Sequence, residues 1–248
     1  MHNKIINKLS PAMQYPRLLL LESTWAEAMT DYMACTKSTA RLYGCLSNLV
    51  LDKYGPVNVI EKPLLAHRFQ QDVMQFSELP LKGLHIVIIS GHGADIFQPG
   101  AKSVGMSTSN KGVRCIDGEI SLIAHLRPIR ENLSRTLLII DACCMGTEVH
   151  NLVKQTGIYG CVGFAKSVAW DESTIYVLAL LFEFFQNGIF HEKASLDKAK
   201  KILHSMQRGA YGSLMRSLKV EYAFQPSQRK KAPVKNASKS RRKIIVKR

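Results

Sequence analysis

Two stretches of the chain are apolar at nearly every position. Residues 84–89 (LHIVII) and 136–140 (TLLII) lack the alternation of a half-exposed strand. Such runs are typical of strands in a parallel sheet that is covered on both faces. Apolar residues at helical spacing recur between and after them. Further strands are predicted at residues 57–60, 113–116 and 158–164, with a leucine-rich run at 17–22. Helices are predicted at 38–51, 67–76, 120–132 with a break at Pro128, 148–155, 171–186 and 195–207.

Strands that alternate with helices through short connections predict an α/β fold, here a three-layer α/β/α sandwich around a mostly parallel sheet. The segment 171–186 is apolar on nearly every face, so we expect this helix to pack deep in the domain. The glycine-, serine- and asparagine-rich segment 93–112 is predicted to be a long polar loop, either ordered on activation or a plain surface loop. A tight turn is predicted at Asp117-Gly118.

Length and composition limit the class of protein. A chain of 248 residues, 46% of them hydrophobic, can bury a full core, in one large domain or two small ones. No apolar run approaches the roughly 20 residues that a membrane-spanning helix needs, and we expect no secretory signal. The six cysteines are scattered rather than regularly spaced. We therefore expect reduced thiols and a cytoplasmic protein.

The positive charge is concentrated at the C-terminal end. Residues 226–248 contain ten basic residues and no acidic one, whereas the first 225 residues contain 24 basic and 19 acidic residues. We therefore predict a folded domain over residues 1–225 and a disordered basic tail over residues 226–248. Such a tail would attract nucleic acid or an acidic membrane surface. The alternative is a tail that only aids solubility and has no partner.

Both buried strands lead into residues that can do chemistry. The first is followed by SGHG, which ends at Gly93, and the second by DACCMG. Because reactive groups collect at the carboxyl ends of parallel strands, His92 and Cys143 should face each other if the strands are neighbours. An imidazole can draw a thiol towards the reactive thiolate and later protonate a leaving amine. The alternative for each residue alone is a structural role, and we expect such a packing role for Cys144.

Other kinds of site have less support. The glycines beside His92 lack the third glycine of a dinucleotide fingerprint, since Ile96 stands in its place. The chain has neither a phosphate-binding P-loop nor a serine elbow. A zinc site made of Cys143, Cys144 and His150 would lack the C-x-x-C spacing of such sites. The sequence therefore predicts neither a metal nor a cofactor.

In this order and on these strands, the two motifs resemble those of clan CD cysteine peptidases, which include caspases, metacaspases, legumain, gingipains, separase and the CHAT domains. His92 and Cys143 are 51 residues apart, which fits the caspase-type spacing of about 50. The residues just before each of them are similar to those of metacaspases. Within the clan the chain most resembles the CHAT branch, and the resemblance covers about residues 84–203. It includes the Asp-Gly hairpin of residues 115–121, the Ala-Cys-x-x-Gly of residues 142–146 and the closing pattern of residues 170–199.

This resemblance implies a caspase-haemoglobinase-like fold and a peptidase in which Cys143 is the nucleophile and His92 the general base and acid. The backbone N–H groups of Gly93 and Cys143 would form the oxyanion hole, and no third catalytic residue is required. Asp141 would line the S1 pocket and favour Arg or Lys at P1, unless Lys166 neutralises it. The alternative for Asp141 is a carboxylate that binds loop amides at the strand end.

The resemblance also implies a setting. The expected substrate is one partner protein, such as a gasdermin-type pore former, in bacterial programmed cell death or antiviral defence. The alternative from a different class is an inactive caspase-like scaffold that binds nucleic acid or acidic partners through its basic tail.

Overall fold

The computed structural model describes residues 18–23, 39, 42–43, 59–80, 83–96, 110–189 and 197–226. Within these residues, nine strands form two sheets. The strands are β1 (Leu18–Glu22), β2 (Val59–Pro63), β3 (His85–Ser90), β4 (Gly93–Ile96), β5 (Asn110–Cys115), β6 (Gly118–Ile120), β7 (Thr136–Asp141), β8 (Gly160–Phe164) and β9 (Val220–Phe224). The helices are α1 (Phe69–Ser77), α2 (Leu122–Leu126), α3 (Val149–Thr156), α4 (Trp170–Gln186), α5 (Asp197–Arg208) and α6 (Gly212–Ser217), with 3-10 turns at Arg127–Asn132 and Met145–Glu148.

The larger sheet has the spatial order β2-β1-β3-β7-β8-β9. Its first five strands are parallel, and β9 runs antiparallel to β8. The chain passes from β1 outward to β2 and then returns to the other side of β1 as β3. The order of strands therefore reverses between β1 and β3. In open α/β sheets, ligands bind at such a reversal, outside the carboxyl ends of the strands.

Alternate residues of each strand face opposite layers. Ile86 and Ile88 of β3 pack in a cluster with α4, α5 and α6, whereas Val87 and Ile89 pack in a second cluster with α1, α2 and α3. All positions of β3 and β7 are buried, and each buried aliphatic side chain contributes roughly 1.5–3 kcal/mol. The sheet thus lies between two layers of helices. The predicted three-layer α/β/α sandwich with a mostly parallel sheet is confirmed.

Most of the predicted elements are confirmed with small shifts of their ends. Each of the two buried strands continues one residue further than predicted, into Ser90 in β3 and Asp141 in β7. The break predicted at Pro128 is confirmed, because the α-helix ends at Leu126 and a 3-10 turn that contains Pro128 follows it; proline lacks the N–H donor that would continue the helix. None of the described helices combines the length and apolar character needed to cross a bilayer.

Some predictions fall on residues that the structure does not describe. Of the helix predicted at 38–51, only Thr39, Leu42 and Tyr43 are described. The predicted basic tail lies outside the described residues except for Pro226. Its disorder stays a prediction, and so does the assignment of residues 1–225 to a single domain.

The prediction of a polar loop over residues 93–112 is wrong at both ends. β4 and β5 occupy these ends and pair antiparallel, with Gly93 opposite Val113. β5 then turns at Asp117 into β6, as the Asp-Gly pair predicts. The strands were missed because their pairing depends on backbone hydrogen bonds, which a segment of small polar residues can make without an apolar pattern.

The prediction also stopped short of the last two elements. α6 and β9 follow the last predicted helix, and β9 closes the described sheet at one edge. Only Val220 and Ala223 of its five residues are buried, so it lacks the continuous apolar run that identifies the central strands.

Candidate active site

The sheet register brings His92 and Cys143 to the same edge. In β3 and β7, Ser90 lies opposite Asp141 as the last pair of the parallel ladder. His92 and Cys143 each follow two residues later, on loops that leave neighbouring strands. Both residues are half-buried. The two strands are thus neighbours, which is the condition for His92 and Cys143 to face each other, and the histidine and cysteine loops leave them side by side.

Gly93 packs directly on the backbone of Cys143. A β-carbon at position 93 would overlap the Cys143 carbonyl oxygen and would lie 3.0 Å from the carbonyl carbon. Real β-carbon atoms essentially never make so close a contact, so only glycine fits here without a shift of the chain. The two segments predicted to form the oxyanion hole are therefore in contact.

The Gly93 N–H makes no hydrogen bond within the ladder between β4 and β5. The N–H of Arg114 donates to the His92 carbonyl at 2.9 Å, so His92 and Arg114 form a hydrogen-bonded pair. In an antiparallel ladder the adjacent pair, here Gly93 and Val113, points its N–H and C=O groups the other way. The Gly93 N–H is therefore directed away from β5, as an oxyanion donor must be.

The Cys143 thiol is held by the loop that follows β8. The N–H of Val168 donates to Cys143 Sγ at 3.4 Å, and Sγ lies 3.6 Å from the Val168 carbonyl oxygen. An amide donor aimed at sulfur interacts more strongly when the sulfur is a thiolate, which is the nucleophilic form. The sequence gives no sign of this contact, because the groups of Val168 that make it are backbone atoms.

The turn after Cys143 is unusually tight. Cys144 has a φ of +61°, a left-handed conformation that costs a non-glycine residue about 1 kcal/mol or more. Its N–H donates to the Lys166 carbonyl at 3.0 Å, which ties the turn to the loop after β8. A β-carbon on Gly146 would lie 2.6 Å from the backbone of Phe164 and Ala165, so this glycine lets the turn pack on the end of β8. The packing role predicted for the Cys144 side chain stays a prediction, since the contacts just described are made by its backbone.

A row of polar side chains lies just below this edge. Glu22, Ser90 and Asp141 are register partners across β1, β3 and β7. Thr39 links the first two, because its N–H and hydroxyl donate to Glu22 Oε1 at 2.5 and 2.6 Å, and the same hydroxyl oxygen lies 3.3 Å from Ser90 Oγ. The Tyr43 hydroxyl donates to Asp141 Oδ2 at 3.5 Å, and the Ser90 hydroxyl donates to the same oxygen at 3.4 Å.

Asp141 is completely buried in this row. Burial raises the pKa of its carboxyl to about 7, the hydroxyls of Ser173, Ser90 and Tyr43 oppose this shift, and the nearby Glu22 adds to it. Burial also raises the pKa of Tyr43, and Asp141 adds to that shift. The carboxyl does not reach a surface pocket in this conformation, so its assignment to S1 stays a prediction. The alternative of a hydrogen-bonded carboxyl at the strand end is closer to what is observed, although its partners are hydroxyls rather than loop amides.

Lys166 makes no ion pair with Asp141. Its carbonyl, rather than its ammonium group, takes part in the site. The residues that sequence reasoning missed are those that surround Asp141 and Ser90. Glu22 ends a leucine run and could have been noticed, whereas Thr39, Tyr43 and Ser173 follow no pattern.

The Asp-Gly hairpin fixes the position of β5 and hence of β4. Asp117 accepts hydrogen bonds from the Ala66 N–H and from His67 Nδ1, both at 2.5 Å. The bond with His67, followed by that with Ala66, lowers the pKa of Asp117 to about 2. The N–H of Ile116 also donates to the Leu64 carbonyl at 3.1 Å. The turn is thus anchored to the segment that follows β2.

The described residues contain no cluster of three or more His, Cys, Asp or Glu side chains that could hold a metal ion. Cys143, Cys144 and His150 therefore do not converge on a zinc site in this structure. Among the described cysteines, Cys115, Cys143 and Cys161 are free thiols.

Two solved structures show a distant likeness to this chain. A secreted C11 cysteine protease from Bacteroides thetaiotaomicron, determined with an irreversible peptide inhibitor, shares 15% identity and superposes with a TM-score of 0.39 over 68% of this chain and 54% of the protease. The chain thus spans about half the length of that protease. Protein GSU0716 from Geobacter sulfurreducens shares 11% identity, with a TM-score of 0.42 over 85% of this chain and 93% of that one. No protein-family model and no curated protein matches the sequence. Neither structural likeness is close enough to assign a family or an activity.

Proposed function

We propose that this chain is a cysteine endopeptidase of the clan CD type, with Cys143 as nucleophile and His92 as general base and acid. One observation carries the proposal. His92 and Cys143 both follow the last register pair of two neighbouring parallel strands, and Gly93 packs on the Cys143 backbone. A histidine and a cysteine with only structural roles would not need this close contact of their two loops.

In the proposed reaction, His92 takes the proton of the Cys143 thiol and the thiolate attacks the scissile carbonyl carbon. The N–H groups of Gly93 and Cys143 donate to the oxyanion that forms, and one such donor is worth about 3 kcal/mol of barrier. His92 then protonates the leaving amine as the C–N bond breaks. Water, deprotonated by His92, hydrolyses the thioester and regenerates the thiol.

The proposal includes a substrate class. We propose, on the resemblance to the CHAT branch, that the substrate is a specific partner protein, with a gasdermin-type pore former in bacterial defence as the first one to test. The proposal also includes a preference for a basic P1 residue, which the Asp141 carboxylate would recognise. For this preference to operate, substrate binding must uncover the carboxyl from beneath Tyr43 and Ser90.

Cleavage of a P1-varied fluorogenic peptide library by matched variants tests the function. The wild type, Cys143→Ala, His92→Ala and the neighbouring-thiol control Cys144→Ser would be compared, with the intact mass of each after treatment with a thiol-reactive peptide ketone. We expect turnover and the covalent adduct in the wild type and in Cys144→Ser, and neither in Cys143→Ala. Activity that survives in Cys143→Ala would refute the proposal.

A second function is suggested by charge rather than by the site. The ten basic residues of 226–248 favour an inactive scaffold that binds nucleic acid or acidic partners. A folded wild type that cleaves no peptide and forms no adduct, and that loses nucleic-acid binding when 226–248 are deleted, would favour this scaffold.

A further inference from the structure

One side of α4 is apolar and open to solvent. Among the described residues, Ile175 is the most exposed large apolar side chain, at 59%, and Phe182 of the same helix is 36% exposed. These two residues are two helical turns apart, so they lie on the same side of α4 and about 10 Å from each other along its axis. Leu178 and Ala179, which are half-buried, flank the line between them. We call these four residues the α4 stripe.

The other side of α4 is used by the core of the domain. A helix that is apolar on both sides is typically covered on both, and a contiguous apolar patch left on a surface marks a site of interaction. We therefore expect a partner on the α4 stripe. The core-facing residues of α4 pack in the cluster that includes β3, and they are Tyr176, Val177, Leu180, Leu181, Phe184 and Phe185.

The polar residues at the two ends of the stripe differ in charge. Asp171 lies one helical turn before Ile175, and Gln186 lies one turn after Phe182. Both end residues are exposed. The point midway between positions 178 and 179 is also midway between 175 and 182, and midway between 171 and 186. The stripe and its two ends are thus arranged symmetrically about the middle of the helix.

We propose that the α4 stripe binds the same stripe of a second copy of this chain, with the two helices antiparallel. A two-fold axis at the middle of the stripe places Ile175 on the partner's Phe182, and Phe182 on the partner's Ile175. An interface between identical surfaces requires this self-complementarity.

The charges at the ends of the stripe favour the antiparallel arrangement. It brings the carboxylate of Asp171 to the partner's Gln186, whose amide group can donate to it. A parallel pair would instead place Asp171 beside the partner's Asp171, and like charges in contact oppose association. The whole helix contains three acidic residues and no basic one, so an anionic lipid surface would repel it. A second copy therefore fits this face better than a membrane does.

The size of the contact sets its expected strength. α4 has 17 residues and is about 25 Å long. Two such helices bury less than the roughly 1,600 Å² of a standard protein interface. We therefore expect a reversible dimer with a dissociation constant on the order of 1–100 μM.

Sedimentation equilibrium of the full chain in reducing buffer tests the proposal and its register. Ile175→Glu and Phe182→Lys are each expected to weaken self-association at least about tenfold, because each places a charge in the apolar contact. An equimolar mixture of the two variants should recover the dimer, since the new carboxylate and the new ammonium group face each other only in the antiparallel register. Ile116→Glu is the matched control, because Ile116 is 38% exposed and lies outside α4. It should associate as the wild type does.

A wild type that stays monomeric over the same concentrations overturns the proposal. So does a dimer that survives both single variants, or a mixture of them that recovers nothing. Loss of the dimer on deletion of 227–248 would assign the occupant of the stripe to that segment and would overturn it as well. Melting temperatures of all variants separate a folding defect from a lost contact, and Ile175→Glu, at the more exposed position, guards against such a defect. Cys143→Ala should associate like the wild type, so this proposal and the peptidase proposal fail separately.

Discussion

Gly93 lies against the carbonyl group of Cys143 with no room for a side chain between them. The contact joins the loop that carries the proposed base to the loop that carries the proposed nucleophile. The pairing of β4 with β5 directs the Gly93 N–H away from β5. The geometry of the proposed oxyanion hole therefore depends on a residue that has no side chain.

Replacement of Gly93 by alanine is expected to reduce kcat by about 10²–10³-fold, because the new methyl group pushes the amide donor out of line. KM should change much less, since the donor acts on charge that develops in the transition state. Gly91→Ala is the matched control, because its β-carbon would meet Ser23 at 2.9 Å rather than the Cys143 backbone. Equal losses of kcat in the two variants would argue against an oxyanion role for Gly93.

Cys144→Gly should raise the free energy of unfolding by about 1 kcal/mol, because glycine adopts a φ of +61° without the cost that a β-carbon imposes. Cys144→Val should lower it, since β-branched residues avoid this conformation. Urea denaturation monitored by circular dichroism gives both values. A fall in stability for the glycine variant would mean that the Cys144 side chain contributes more than its backbone strain costs.

The Asp141 carboxyl should make the free energy of unfolding depend on pH, and comparison with an Asp141 variant isolates its contribution. Its pKa is about 7 in the folded chain against 3.8 for the free side chain, so between these values the folded state binds more protons than the unfolded state. Stability should therefore fall as the pH rises from about 4 to about 7, by an amount on the order of a few kcal/mol. Asp141→Asn should remove this slope. Urea melts of both proteins at several pH values test it, and parallel curves would contradict the prediction.

The opposite sign is expected for Asp117. Its pKa is lowered to about 2 by the bonds with His67 and Ala66, so its contribution to stability is present above about pH 4 and is lost as the pH falls towards 2. Asp117→Asn should lower the melting temperature modestly at pH 7 and have little effect near pH 2. Glu119→Gln, on the adjacent strand of the hairpin, is the control. The same loss in both variants would indicate general charge effects rather than the turn.

The parts of the fold that the sequence predicts are those fixed by local pattern. β3 and β7 are recognisable because every residue in them is buried, and the motifs that follow these strands place His92 and Cys143 at one edge. The surroundings of Asp141 could not be predicted in this way. Tyr43, which covers it, comes from a segment 98 residues earlier, and such a contact arises only when the sheet is assembled. Val168 contacts the thiol through its backbone, which any residue type would provide.

The pairing of β4 with β5 would help to hold the two parts of the chain together if the chain were cut between these strands. These two strands flank residues 97–109, with His92 before this segment and Cys143 after it. β3 and β4 precede this segment, and the strands with which they pair, β7 and β5, follow it. A protein nicked between positions 96 and 110 would thus keep two fragments joined by both ladders. Each fragment would carry one half of the proposed dyad, so the proposed peptidase activity would depend on the association of the two halves.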